Sequence, residues 1–511
     1  MLPVHHVLCG LAANAALPSE LVDRLIEVAD TDVSDSLASR TELSHAQAVA
    51  LASQGEEIAV RLAYEGLLTA ADIDPVAQPR AALALLEERS GDLEWALLFA
   101  SDPDGGRRER LAACAGLPPE VVERLAADSD VRVVAELASW TTPDMAGRLA
   151  RHPHAEVRRM VAANEATPPE VLAMLITGEG VPPAQRCLVC DVEETPFVHD
   201  PQCPRLDCEL RSGASCAGSH ESTVAEITEL ALRNPSTPVQ AVVPFADHPS
   251  ALLRWTLAAR PDLPPEVWGR LARDPIPGVR ADLAGNPAID ETLIRALATD
   301  PDHDVRRTLA HHPRVPLDVL SCLAGTVKVG PTLLPRIAAA SPSEVEELAR
   351  SSNSAVRMLL AERRDLSAEI RDALAADADA KVVKSIAPHP GLSETQLRTM
   401  VEGHGSHVVA KVAANPDAPS ALLEDLTRHV PPVRKVFREV ARHRNATGPA
   451  LLACLTDRRA RPIAAGHPAL PPPVIAELLA DDDWRVVEAA AANPSLSPTV
   501  MSKLAPEPGR A

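Results

Sequence analysis

The stretch Leu253–Leu323, LRWTLAARPDLPPEVWGRLARDPIPGVRADLAGNPAIDETLIRALATDPDHDVRRTLAHHPRVPLDVLSCL, decides the fold. Arg254, Arg280 and Arg306 recur in it at a spacing of 26 residues, and so do Arg260-Pro261, Asn286-Pro287 and His312-Pro313. Each period carries the same signals in the same order: Val-Arg or its equivalent, Leu-Ala, then Asn, His or Arg before Pro, then a Pro-Pro-Glu-Val type start and an Asp-Pro exit. A fixed period of this length marks stacked supersecondary units, none of which can bury its apolar face alone.

Each signal has a local cause. In Thr167-Pro168-Pro169-Glu170 the threonine is placed to cap a helix, proline suits the first position, and the glutamate three residues on can close a capping box. Val171, Leu172 and Leu175 then share one helical face, as do Val267, Leu271 and Ala272 in a matching unit. Asp274-Pro275 ends that helix, because proline disfavours helical geometry in the residue before it. A second piece from Val279 to about Gly285 is stopped by Asn286-Pro287. The unit is therefore expected to be one α-helix of about ten residues followed by a shorter helical turn.

Working outward, the template returns at Val157–Leu175, at Val408–Leu426 with Asn415-Pro416, and at Val486–Leu504 with Asn493-Pro494. His389-Pro390 and His467-Pro468 fill the Asn-Pro slot, where the histidines read as turn or capping residues. Leu11-Ala12-Ala13-Asn14 followed by Leu17-Pro18-Ser19-Glu20 obeys it too, so Val7–Leu17 reads as repeat and not as a secretion leader. The expected organisation is an N-terminal helical array over 1–176, irregular over 72–106. A Cys-rich insert over 177–223, a C-terminal array over 224–505 and a disordered tail over 506–511 follow.

Composition agrees. Hydrophobic residues make up 46% of 511, enough for a core, but aromatics only 2%, which suits thin Ala/Leu layers better than a thick globular centre. The 48 prolines recur at fixed places. A net charge of −21 opposes general attraction to nucleic acid or anionic membrane. No apolar run is long enough to span a bilayer, and nine cysteines without a leader suggest the reducing cytoplasm.

Asn-Pro-x-Leu-Pro turns, Pro-Pro-Glu-Val starts, Leu-Ala-x-Asp-Pro exits and Val-Arg starts of the second piece resemble the leucine-rich repeat variant family and, more loosely, HEAT-type arrays. The resemblance implies an all-α solenoid alternating α- and 3₁₀-helices in a right-handed superhelix. That family's unit is nearer 24 residues. The longer period here leaves room for a short α-helix in place of the 3₁₀ piece. The likeness lapses at about 72–106, 177–223 and 325–335.

Five of the nine cysteines, Cys187, Cys190, Cys203, Cys208 and Cys216, crowd into a turn-rich segment with His199 and His220. Cys187 and Cys190 form a two-ligand knuckle, and Cys203 and Cys208 can complete a tetrahedral thiolate site; Cys216, His199 and His220 are alternates. Zinc is the first expectation, since a short segment with little core is often held by a metal. A [4Fe-4S] cluster is the second, because some leucine-rich repeat variant proteins carry such a module at the N-terminus. Unliganded thiols are the third. Cys9, Cys114, Cys322 and Cys454 read as packed core thiols.

Arg132, Arg158, Arg254, Arg280, Arg306, Arg357 and Arg434 form a ladder, one per unit. It reads either as a ridge gripping carboxylates or phosphates, or as internal pairing with acids such as Asp274 and Asp300. No Gly-rich phosphate loop, Gly-x-Ser-x-Gly elbow or His-Glu-x-x-His helix occurs. The expected function is a non-enzymatic scaffold binding a protein or peptide on a concave surface, with a structural metal. A metal-dependent sensor or redox adaptor is the alternative. A nucleic-acid-acting repeat protein, such as a base-excision glycosylase, is opposed by the charge and the scarce aromatics.

Overall fold

The computed structural model describes residues 4–187 and 221–506. These residues form 35 α-helices and three short 3₁₀ segments, with no β structure among them beyond one isolated bridge between His154 and Arg186. The chain is an all-α repeat solenoid. No helix among the described residues is long and apolar enough to cross a membrane.

Each repeat is a pair of α-helices. The first, here called the P helix, follows the Pro-Glu signal, as in Pro265–Leu271; the second, the R helix, carries the Val-Arg signal, as in Pro277–Gly285. The expected shorter turn is thus a full α-helix of 9 residues beside a P helix of 7. The 26-residue period thus holds two α-helices, a HEAT-like pair. Among the described residues, only Ala70–Asp72, Val243–Asp247 and Gly405–His407 are 3₁₀.

Caps differ from expectation in one respect. Pro168 occupies the N-cap of Pro169–Thr177 with no side-chain cap, and Thr167 instead donates its hydroxyl to Val161 O at 2.7 Å. Full capping boxes form where the signal is Ser-x-x-Gln or Ser-x-x-Glu, at Ser44/Gln47, Ser341/Glu344 and Ser393/Gln396. R helices are capped by acids and amides such as Asp130, Asp302, Asn353, Asp379 and Asp483.

The chain divides into two compact units, Thr69–Lys328 and a second made jointly by Met1–Leu68 and Val329–Ala511. In each, R helices stack in order. Val279, Leu283 and Ala284 of one R helix and Val305, Leu309 and Ala310 of the next are wholly buried. Each buried Val or Leu is worth about 1.5–3 kcal/mol. Small residues set the spacing: a methyl on Gly285 would already sit 3.2 Å from Thr308 Cγ2.

In Thr69–Lys328 the stack runs from Pro79–Glu87 through Gly105–Ala112 and Val131–Trp140, so helices continue through 72–106, where the sequence repeat lapses. It then passes from Ala155–Ala163 directly to Glu221–Arg233. The helices flanking the Cys-rich segment are therefore neighbours. In the other unit, the stack Ser354–Leu360, Ala380–Ile386, Val409–Ala413, Arg434–Arg442, Arg461–Ala465 and Trp484–Ala491 continues into Val4–Ala13 and Thr31–Ala38. The first repeat of the chain occupies the place after the last.

Candidate functional site

The Asn/His/Arg slot does more than turn the chain. Asn286 donates to Ala258 O at 2.9 Å and to Arg260 O at 2.7 Å in the preceding repeat, while its carbonyl accepts the N–H of Ala288. Asn164, Asn234, Asn415 and Asn493 bridge the same way, Arg40, Arg260 and Arg363 reach equivalent carbonyls, and His312 donates to Asn286 O at 2.9 Å. Buried slot side chains thus form a ladder that satisfies helix-end carbonyls from repeat to repeat. The signal for it was present: Asn, His and Arg share N–H donors, not a turn preference.

The arginine ladder is largely consumed within the fold. Arg254 pairs bidentately with Asp274, Arg280 with Asp300 at 2.7 and 3.0 Å, and Arg357 with Asp377 at 2.6 and 3.0 Å. Burial would raise Asp300, but the Arg280 guanidinium holds its carboxyl below the ordinary carboxylate value; Asp377 behaves likewise beside Arg357. Arg306 donates to Asp300 O and Pro301 O, and buried Arg158 to His152 O and Pro182 O. Arg132 is exposed and pairs with Asp130; Arg434 is exposed. The same bidentate clamp occurs at Arg108–Asp128, and Arg461 meets Asp481 through one nitrogen; the Val-Arg pattern did not single out either.

Of the cysteine cluster, Cys187 is described and is wholly buried. The strand of chain before it lies on the start of Ala155–Ala163, with Gln185 N donating to Pro153 O and Ala155 N to Arg186 O, both at 2.8 Å. Cys190, Cys203, Cys208, Cys216, His199 and His220 lie outside the described residues. Among the described residues no group of three or more His, Cys, Asp or Glu is placed to hold a metal ion. Cys9, Cys114 and Cys454 are buried, and burial pushes the thiols of Cys114 and Cys454 up to about 12. Cys322, expected in the core, is exposed on Leu317–Thr326.

Among the described residues, one surface feature that the fold does not consume is a cleft of about 210 Å³. Met358, Glu362, Arg364, Lys381, Lys384 and Lys411 line it, from three successive repeats. Lys381 and Lys384 are one turn apart on Ala380–Ile386, and Lys411 lies on Val409–Ala413. All three are exposed, and among the described residues none has an ion-pair or side-chain hydrogen-bond partner. Arg364 sits 3.8 Å from Glu362 and donates weakly to Ala361 O and Ser385 O. A second, wider cleft is lined by Arg458, Arg461, Asp481, Asp482, Asp483, Trp484 and Arg485; there Arg461 pairs with Asp481, Asp483 caps a helix, and Arg485 lies over Trp484.

No protein-family model and no curated protein matches the chain. Among solved structures it is similar to a leucine-rich repeat variant with a novel repetitive structural motif, at 18% identity over 53% of this chain and 87% of that one, with a TM-score of 0.29. It is also similar to a chain of a structure describing how Kap95p binding induces the switch loops of RanGDP to adopt the GTP-bound conformation. That match has 12% identity over 92% and 72% of the two chains, with a TM-score of 0.24. A chain of the Pds5-Scc1 complex matches at 13% identity over 93% and 66%, with a TM-score of 0.16. At these values the matches add nothing to the helical-repeat architecture visible in the chain itself.

Proposed function

We propose that the chain is a non-enzymatic scaffold that binds a protein partner through the exposed faces of its stacked helices. One observation carries this reading: the side chains with chemical potential are spent on holding repeats together, while exposed positions vary from repeat to repeat. The slot residues ladder the turns, the arginines clamp aspartates, and the buried thiols are held protonated. Solenoids of this kind bind through extended surfaces rather than through a positioned acid and base. The test is crosslinking of the full chain in its own host, followed by mass spectrometry. Crosslinks from exposed helix residues to a reproducible protein partner are expected; their absence from every face would sink the reading.

A second element of the proposal is a structural zinc held by Cys187, Cys190, Cys203 and Cys208. It is supported by the complete burial of Cys187, which fixes the first thiol of the knuckle against the repeat stack. Thiolates suit zinc or an iron–sulfur cluster equally, and either would tie the segment to the array. Elemental analysis of anaerobically purified protein is expected to find about one zinc per chain, reduced by Cys187→Ser. Visible iron–sulfur absorbance would replace zinc by the cluster, and a metal-free protein would refute both.

A further inference from the structure

The chain contains only six lysines, and three of them, Lys381, Lys384 and Lys411, line one cleft. They belong to a longer register. Eight residues before the slot, consecutive repeats carry Lys381, His407, Lys435, Arg459 and Arg485. The same position in the other unit carries Glu156, Glu226, Leu252, Gly278 and Asp304. A chain of net charge −21 has therefore gathered a row of basic side chains in one register of one unit, of which Arg485 is engaged by Asp483 and Trp484. Elsewhere its guanidiniums are matched by aspartates at fixed spacing, as in Arg280–Asp300 and Arg357–Asp377.

We propose that the cleft of Arg364, Lys381, Lys384 and Lys411 binds an acidic, extended peptide segment of a partner protein, a reading that rests on the scaffold function above. Charge complementarity selects the ligand, since exposed ammonium groups facing solvent attract carboxylates and lose little hydration in meeting them. Met358 and two prolines, Pro331 and Pro388, put apolar surface between the cations, which suits a peptide carrying aliphatic residues among its acids. Nucleic acid fits less well. No aromatic lines the cleft to stack a base, and Glu362 would face a continuous row of phosphates. Geometry sets the spacing. Packed helices lie roughly 8–10 Å apart, and an extended chain advances about 3.3 Å per residue. One repeat then spans about three residues, so the segment carries an acid at about every third position.

The test is fluorescence polarisation of the full chain with a labelled synthetic peptide bearing glutamate at every third position, separated by leucine and serine. Binding weakened by salt is expected, with a composition-matched peptide of clustered glutamates at least about tenfold weaker. Lys381→Glu/Lys384→Glu/Lys411→Glu should abolish binding, the corresponding Gln variant should weaken it by about tenfold or more, and Lys503→Glu should leave it unchanged. Circular dichroism of each variant checks the fold. The assignment is overturned if the spaced peptide does not bind, if the Gln and Glu variants bind it normally, or if a single-stranded oligonucleotide or inorganic phosphate competes better than the peptide. Failure here with host crosslinks on other faces removes the cleft and leaves the scaffold; absence of any crosslinked partner removes the scaffold itself.

Discussion

His312 shows how a single residue carries the register of the solenoid. Its Nε2–H donates to Asn286 O at 2.9 Å and its Nδ1 accepts the N–H of Arg314 at 3.1 Å, so both ring nitrogens are committed in the neutral tautomer. His467 repeats the arrangement, with Nε2 to His443 O at 3.1 Å and Nδ1 accepting from Ala469 at 3.0 Å. A second proton would set an N–H against an N–H in a buried site. Burial lowers His312, His389 and His467 from the usual 6.5. The sign follows. Below pH 6.5 the unfolded chain takes up protons that the folded rings refuse, so stability is fully present above 6.5 and declines as pH falls toward the depressed values. Each ring that stays neutral contributes up to about 1.4 kcal/mol of loss per pH unit. Urea unfolding at pH 7.5 and 5.5 should therefore show a marked acid loss, smaller in His312→Asn/His389→Asn/His467→Asn, because asparagine fills the same slot elsewhere without titrating. An unchanged pH dependence in the triple variant would contradict the assignment.

At the scale of the element, the Arg–Asp clamps decide how P and R helices of adjacent repeats are fastened. Arg280 reaches back to Asp274 O at 2.7 Å while forking onto Asp300, and Asp300 in turn accepts the N–H of Asp302 at 2.9 Å. The side chains of the pair are 11% and 6% exposed, so removing one partner strands the other out of water. Arg280→Ala is expected to cost about 3–5 kcal/mol, with Arg280→Lys recovering only part because an ammonium lacks the planar fork. Arg280→Met/Asp300→Leu should cost less than Arg280→Ala alone, and urea melts of the three variants check it; additive losses would show that the pair is not coupled. The helices and their proline boundaries were legible in the sequence because periodicity, proline and caps are local. The clamp was legible as one of two readings, since Asp274 and Asp300 recur in step with the arginines. The lysine cleft was not: Lys381, Lys384 and Lys411 look like ordinary exposed helix charge until the slot aligns their repeats. Nor was the exposure of Cys322, whose apolar neighbours in sequence, Val319, Leu320 and Leu323, occupy the buried face of the same helix.

At the scale of the whole chain, one unit is assembled from both ends of the sequence. Val4–Ala13 packs on Trp484–Ala491 as an R helix packs on its predecessor, and Asn14 donates to Ala491 O at 2.9 Å and Asn493 O at 2.8 Å, the same bonds that Asn286, Asn415 and Asn493 make. Arg24 adds a bond to Ala505 O at 2.8 Å, and His6 stacks on Trp484 with ring centres 4.8 Å apart. Because the joint reuses the repeat interface, the sequence contained all its parts; what periodicity cannot reveal is that two interfaces so far apart in sequence are partners. Gly10 is the point of closest approach. A Cβ there would fall 2.7 Å from Ala491 Cβ and closer still to the Glu488 carbonyl oxygen, neither of which a rotamer change can move. Gly10→Val is therefore expected to open the joint without breaking either helix. Hydrogen exchange should rise together in Val4–Ala13 and Trp484–Ala491 and stay unchanged in the unit Thr69–Lys328. Gly147→Ala, whose added methyl meets nothing nearer than Val171 Cγ2 at 3.8 Å, serves as the neutral control. Faster exchange in Val4–Ala13 alone would mean that Trp484–Ala491 is stable without it. In that case the first repeat is a passenger on the array rather than the step that completes it.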